Sequence, residues 1–295
     1  MSITPRRSAL YMPGANARAL EKAKGLDADV LILDLEDAVA PDAKAVARDQ
    51  ISAAMADGGY PGREVVIRVN GVGSDWFADD VALCAAAGPD AVLVPKVSNA
   101  GEIAAIREGF AKAGVARSTP LWAMIETPEA ILKLGEITGA ADDESAPLTC
   151  LVVGANDLVK ETRMALDAAR SQAMYWLAAT VTAARAAGLD VLDSVYNDFR
   201  DLNGFAAECA AGRDLGMDGK TLIHPSQIEI ANTTFAPTPE AIADARAILD
   251  AFAKPENQSR GVINLDGRMV ELLHAEMAKR TVAIADAISA RQGQA

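Results

Sequence analysis

Hydrophobic and polar positions follow two alternating patterns along this chain. Short, nearly continuous apolar runs recur at residues 8–12, 30–33, 65–69, 91–94, 121–125, 150–153, 190–192 and 219–223. A run of that length with little internal polar alternation is what a strand buried on both faces requires. Between them lie alanine-rich stretches with apolar residues at helical spacing, at 15–25, 41–57, 75–87, 99–113, 128–139, 163–187 and 198–215. Eight strand-like runs alternating with helical stretches predict a parallel sheet, and eight is the number that closes a (β/α)8 TIM barrel. An open doubly wound sheet would call for a glycine-rich phosphate loop after an early strand, and the chain has neither GxGxxG nor the Walker A pattern. The expected fold class is therefore α/β, a barrel followed by a C-terminal helical extension.

That extension begins after the eighth run. Phe235-Ala-Pro-Thr-Pro-Glu240 predicts a linker and a helix start. A helix over 240–253, a polar stretch over 254–261, a short apolar run and a last helix over 268–291 complete the chain. The predicted organisation is a barrel over 1–234 and an extension over 235–295, acting as a lid over its own site or a neighbouring subunit's.

Composition narrows the function classes. The 295 residues are 51% hydrophobic, enough for one large core, and the net charge is 28 − 41 = −13. Such a balance argues against nucleic acid and anionic membranes as partners. Cys84, Cys150 and Cys209 are far apart and form no CxxC, and His224 and His274 are too few for a histidine-rich metal site. No run approaches transmembrane length and no signal-peptide core precedes the first strand, so a reducing, cytoplasmic location is expected.

The chemistry concentrates at the ends of the apolar runs. Asp34, Glu36 and Asp37 follow the second; Arg68 closes the third, with Asn70 beyond it; Lys96 follows the fourth, Glu126 the fifth and Asp157 the sixth. Asp193, Lys220 and His224 mark the last two. The C-terminal strand ends of such a barrel carry its active site. Singly, each residue has a structural explanation. Glu126 complements a helix N-terminus by about 0.3–1 kcal/mol, since Thr127 and Pro128 read as N-cap and first helical residue. Asp157 reads as a turn or cap, Arg68 as a partner of Glu36 or Asp37, and Lys96 as a solvated lysine. Together, several carboxylates around one cavity would repel one another. A divalent cation, with Arg68 and Lys96, relieves that repulsion, and two hard oxygen ligands suit Mg2+, with Mn2+ an alternative.

The ordered motifs RSALYMPG at 7–14, DLEDAV at 34–39, Arg68-Val-Asn70, Pro95-Lys96, Ile125-Glu126-Thr-Pro128, Gly154-Ala-Asn-Asp157 and GKTLIHP at 219–225 resemble the citrate lyase β-subunit-like family within the HpcH/HpaI aldolase superfamily. The resemblance covers nearly the whole chain and implies a barrel assembled as a homotrimer or homohexamer. It implies Glu126 and Asp157 as Mg2+ ligands, Arg68 on the substrate oxygens, and Glu36 and Asp37 lining the metal site. It further implies Arg18 and Lys22 on CoA phosphates, with Lys96 and Ala155 also on the substrate side. Lyases of the family carry Gly-x-Met-Ile/Val-Asp near the C-terminus, whereas this chain has Gly267-Arg268-Met269-Val270-Glu271. Glu271 is then a repositioned acid–base group or the mark of a different reaction, with Asp266 a competitor. The first expectation is a Mg2+-dependent carbon–carbon lyase acting on a 3-hydroxyacyl-CoA such as malyl-CoA or citramalyl-CoA, giving an oxoacid and an acyl-CoA. The rivals are a malyl-CoA-type thioesterase, the β subunit of a citryl carrier-protein lyase, and a non-catalytic oxoacid- or CoA-binding protein.

Overall fold

The computed structural model describes residues 3–58, 60–141 and 143–292. Eight parallel strands close into a barrel in sequence order: β1 (Ser8–Pro13), β2 (Val30–Asp34), β3 (Glu64–Arg68), β4 (Ala91–Val94), β5 (Leu121–Ile125), β6 (Leu148–Val153), β7 (Asp190–Asp193) and β8 (Gly219–Leu222), with β8 pairing back onto β1. All eight coincide with the apolar runs to within two residues. The interior is filled by alternate side chains, including Val30 and Ile32, Leu93, Trp122 and Met124, and Cys150 and Val152. Their neighbours Leu31, Leu33, Val92, Ala123 and Leu151 point outward and are equally buried. Both faces of every strand are covered, which is why the runs show no alternation. At the N-terminal end of the barrel the Arg6 guanidinium lies 4.8 Å from the Trp122 ring centroid and pairs with Glu64 and Asp190 at 2.7 and 2.6 Å.

Helices α1 (Ala17–Ala23), α2 (Lys44–Ala56), α3 (Phe77–Ala87), α4 (Ala100–Ala113), α5 (Pro128–Leu132), α6 (Leu134–Thr138), α7 (Ala155–Thr162), α8 (Met174–Ala186), α9 (Leu202–Leu215) and α10 (Ile228–Thr234) alternate with the strands. Thr127 caps α5, its hydroxyl accepting the Ala130 N–H at 3.1 Å, with Pro128 at the first helical position as expected. Two expectations need correction. The stretch at 128–139 is two short helices broken at Lys133. The stretch at 163–187 is not one helix: α7 starts earlier and ends at Arg163, whose φ of 59° stops it, and α8 starts only at Met174. In the loop between, the Asp167 carboxylate accepts the Ser171 N–H at 2.9 Å, a local bond that competes with helix formation.

Residues 6–233 form one compact unit, and 234–292 with the N-terminal residues form a second. In the second, α11 (Pro239–Ala253) and α12 (Leu272–Gln292) pack with an antiparallel hairpin, β9 (Val262–Leu265) and β10 (Arg268–Glu271). Ile248, Ile263, Val270 and Ala278 are among its core. The expected last helix over 268–291 therefore loses its first turn to a strand. Asp266 and Gly267 have φ values of 52° and 83°, as a two-residue hairpin turn demands. The Asp-Gly pair was the signal for it. No described helix is long and apolar enough to cross a membrane.

Candidate active site

Arg68, at the end of β3, is the most constrained side chain on the barrel's C-terminal rim. Its Nε and Nη2 donate to the two oxygens of Asp34 at 2.7 and 2.6 Å. Nη1 lies 2.8 Å from Glu36 Oε2, and the guanidinium sits 4.6 Å from the Tyr11 ring centroid. Register explains the pairing, because Asp34 and Arg68 are direct neighbours across the β2–β3 ladder. Arg68 was expected to pair with Glu36 or Asp37; the pairing with Glu36 is found, but Asp34 is the bidentate partner. Burial disfavours the guanidinium's charge, yet Tyr11, Asp34 and Glu36 outweigh it and hold Arg68 firmly cationic.

Glu126 follows β5 and is 2% exposed. Its Oε1 accepts the Lys96 backbone N–H at 2.8 Å. Lys96 presents that N–H from a left-handed conformation, φ 57°, uncommon for a residue with a side chain. Its ammonium reaches Glu36 Oε1 at 3.2 Å and remains half exposed. Burial, then repulsion from Glu36 and Asp157, pushes the Glu126 carboxyl up to about 8. Burial also raises Glu36, against the pull of Arg68.

Asp157 stands in the first turn of α7, beyond β6. Tyr11, Asp34, Asp37, Arg68, Glu126, Ala155 and Asp157 line one cavity of about 300 Å3. Gly154 gives Glu126 its room. A Cβ there would lie 2.6 Å from Glu126 Oε2 and collide with the Glu126 Cβ. We expect Gly154→Ala to weaken divalent-cation binding about 10-fold or more while costing a few degrees of melting temperature; calorimetric titration with Mg2+ beside a thermal melt checks both.

Two carboxylates from neighbouring strand ends, one carrying the imprint of unbalanced negative charge, fit a hard divalent ion. Among the described residues no group of three or more His, Cys, Asp or Glu is arranged to hold a metal. The protein would supply two ligands, leaving the rest to water and substrate, as suits Mg2+.

Other strand-end charges lie elsewhere. Asp193 and Lys220 pair with each other at 2.8 Å and with Arg170 and Glu208, and none of the four is among the residues that line the cavity. His224 stacks on Phe199 at 4.7 Å between centroids. Asp37 is exposed at the cavity edge, and Arg18 and Lys22 are exposed on α1, outside its lining. Glu271 ends β10 in the C-terminal unit, its backbone N–H donating to His274 Nδ1 at 3.0 Å. Nothing in the sequence marks the roles of Tyr11 and Lys44 or the pairing of Asp34 with Arg68; only the register and the β2 turn reveal what they touch.

A closed barrel whose C-terminal rim gathers an arginine between two carboxylates and sets further carboxylates around one cavity defines a class, and the sequence match agrees: the chain belongs to the HpcH/HpaI aldolase/citrate lyase family, whose model matches residues 7–225. It is 44% identical over 286 residues to a (3S)-malyl-CoA thioesterase of Cereibacter sphaeroides, covering 97% of this chain and 96% of the relative. It is 33% identical to the citrate lyase subunit beta of Escherichia coli, covering 90% and 88%. Among solved structures it resembles the CitE protein of Mycobacterium tuberculosis in complex with magnesium, acetoacetate and coenzyme A, with a TM-score of 0.72, 28% identity, and 94% and 97% coverage.

Proposed function

We propose that this chain is a Mg2+-dependent enzyme acting on the CoA thioester of a short 3-hydroxy acid of the malyl type, with thioester hydrolysis as its net reaction. The observation that carries the substrate class is Arg68, clamped by Asp34 and Glu36 at the cavity shared with Glu126 and Asp157. Similarity to the malyl-CoA thioesterase along nearly the full chain supports hydrolysis. Carbon–carbon cleavage is the second reading, favoured by the citrate lyase relative.

In this reading Glu126 and Asp157 would hold Mg2+, which when bound would supply Lewis-acid polarisation to an oxygen of the acid portion. Arg68 offsets negative charge on that portion. Its double anchor on Asp34 prevents it from swinging, so the charge is set in place before substrate arrives. Glu36 and Asp37 line the ion's surroundings. Lys96 and Ala155 border the substrate, and Arg18 and Lys22 meet the CoA phosphates. Glu271 is the proposed acid–base group for the water that adds to the thioester carbonyl carbon; the C–S bond then breaks and the thiolate takes a proton. A homotrimer or homohexamer belongs to the same proposal, with Glu271 serving a neighbouring copy.

The test follows free thiol and oxoacid together in one sample of protein, Mg2+ and malyl-CoA. Free thiol without oxoacid is expected. Oxoacid without thiol would establish the lyase instead, and neither product, with citramalyl-CoA tried as well, would sink both readings. Glu271→Gln is expected to lower kcat about 100-fold or more with Mg2+ affinity unchanged.

A further inference from the structure

Lys44, the first residue of α2, is 5% exposed and points back under the turn that follows β2. An ammonium has three protons to donate and nothing to accept with. All three are used: on the Leu35 carbonyl at 2.7 Å, the Glu36 carbonyl at 2.8 Å and Asn70 Oδ1 at 2.8 Å. Among the described residues no carboxylate oxygen forms an ion pair with it. Burying a lysine in this way is costly, and burial does lower its proton affinity, although Asp34, Asp80, Glu36 and Asp37 lie near enough to offset part of that.

The contacts show what is gained. The Asp34 carboxylate accepts the N–H groups of Glu36 at 2.9 Å and Ala38 at 3.2 Å, so it holds the turn by its donors. Lys44 takes the carbonyls of the same turn. Asn70 extends the clamp, its Nδ2 donating to the Leu35 carbonyl at 2.9 Å and to Asp80 at 2.6 Å. Asp80 is fully buried and also accepts from Arg48 at 3.0 Å. With both its N–H and its carbonyl fastened, Glu36 has its backbone direction set, and its carboxylate meets Arg68 on one oxygen and Lys96 on the other.

We propose that Lys44 is a positioning residue: by fastening the Leu35 and Glu36 carbonyls it sets the Glu36 carboxylate between Arg68 and Lys96, and so acts on the reaction through Glu36. The kinetic part of this inference rests on the proposed thioester chemistry; the geometric part does not. Two measurements on full-length Lys44→Met separate them. In the first, a double-mutant cycle with Glu36→Gln, Lys44→Met lowers kcat about 10–100-fold with KM little changed. In the Glu36→Gln background the same change then costs less than about threefold, because the group it acts through is already gone. In the second, a crystal structure of Lys44→Met has Glu36 displaced from Arg68 and Lys96. Multiplying losses in the cycle, an unchanged kcat, a Glu36→Gln variant as active as wild type, or Glu36 keeping both contacts in the crystal would each overturn the proposal. Wild type inactive on both thioesters would defeat the proposed function instead, and the crystal structure would then decide the role of Lys44 alone. Lys44→Gln, which keeps an amide donor but no charge, takes the place of Lys44→Met should that variant not fold.

Discussion

Glu126→Gln is expected to lower turnover about 10³-fold or more and Mg2+ affinity about 100-fold, while making the metal-free protein more resistant to heat at pH 8. The opposite signs share one cause. The glutamine keeps the shape, and its carbonyl oxygen can still accept the Lys96 N–H, but the charge that faces Glu36 and Asp157 is gone. Folding pushes the Glu126 carboxyl up to about 8, so the folded metal-free protein holds a proton that the unfolded chain releases. Stability from this group is therefore full below the ordinary carboxylate range and is lost as pH rises to about 8, at up to ~1.4 kcal/mol per pH unit. Raising the pH from 5 to about 8.5 is expected to lower the melting temperature of metal-free wild type more steeply than that of Glu126→Gln. Adding Mg2+ to wild type is expected to reverse much of the fall. Parallel melts of the two proteins with and without metal check this, and identical pH dependence would mean that Glu126 carries no unbalanced charge.

The second large effect concerns stability. Lys220 on β8 is fully buried, with its ammonium 2.8 Å from Asp193 and 2.6 Å from Glu208. Arg170 completes the group, holding both oxygens of Asp193 at 2.7 and 2.9 Å and approaching Glu208 at 3.3 Å. Burial alone would raise the Asp193 carboxyl, but Lys220 and Arg170 hold it below the ordinary carboxylate range. Two cations and two anions cancel, so removing one leaves a net charge in the interior. Lys220→Met is expected to cost about 3–5 kcal/mol and lower the melting temperature by roughly 10 °C. Adding Glu208→Gln restores neutrality and is expected to regain part of the loss. A single variant melting within about two degrees of wild type would show that the quartet contributes little.

Those two sites show where sequence reading succeeded and where it stopped. The strands were legible because burial on both faces leaves uninterrupted apolar runs. Glu126, Arg68 and Lys96 were legible as strand-end charges because a barrel gathers its strand ends on one rim. The partners were not. Whether Arg68 meets Asp34 or Asp37 depends on the β2–β3 register, and apolar runs fix a strand's existence without its stagger. Asp193 and Lys220 looked like Glu126 and Asp157 in the chain, yet they neutralise each other inside the barrel wall. Lys44 was hidden for another reason: a lysine opening a helix reads as solvated unless the carbonyls beneath it are known. The hairpin at Asp266-Gly267 carries its own turn signal, but the helical periodicity of the residues that follow extends back across β10 and masks it.

The neutral quartet has a consequence for how such a barrel changes over time. The rim is split electrically, with unbalanced charge over β2 to β6 and a self-cancelling group at β7 and β8. The field of a balanced quartet falls away faster with distance than that of a lone ion. Charge-neutral changes in the loops after β7 and β8, which bring Val195, Asn197 and Ile223 to the cavity, therefore leave the potential at Glu126 little disturbed. On the proposed function, acceptance of a new acyl group and retention of the metal become separable traits, and selection can move one while leaving the other alone.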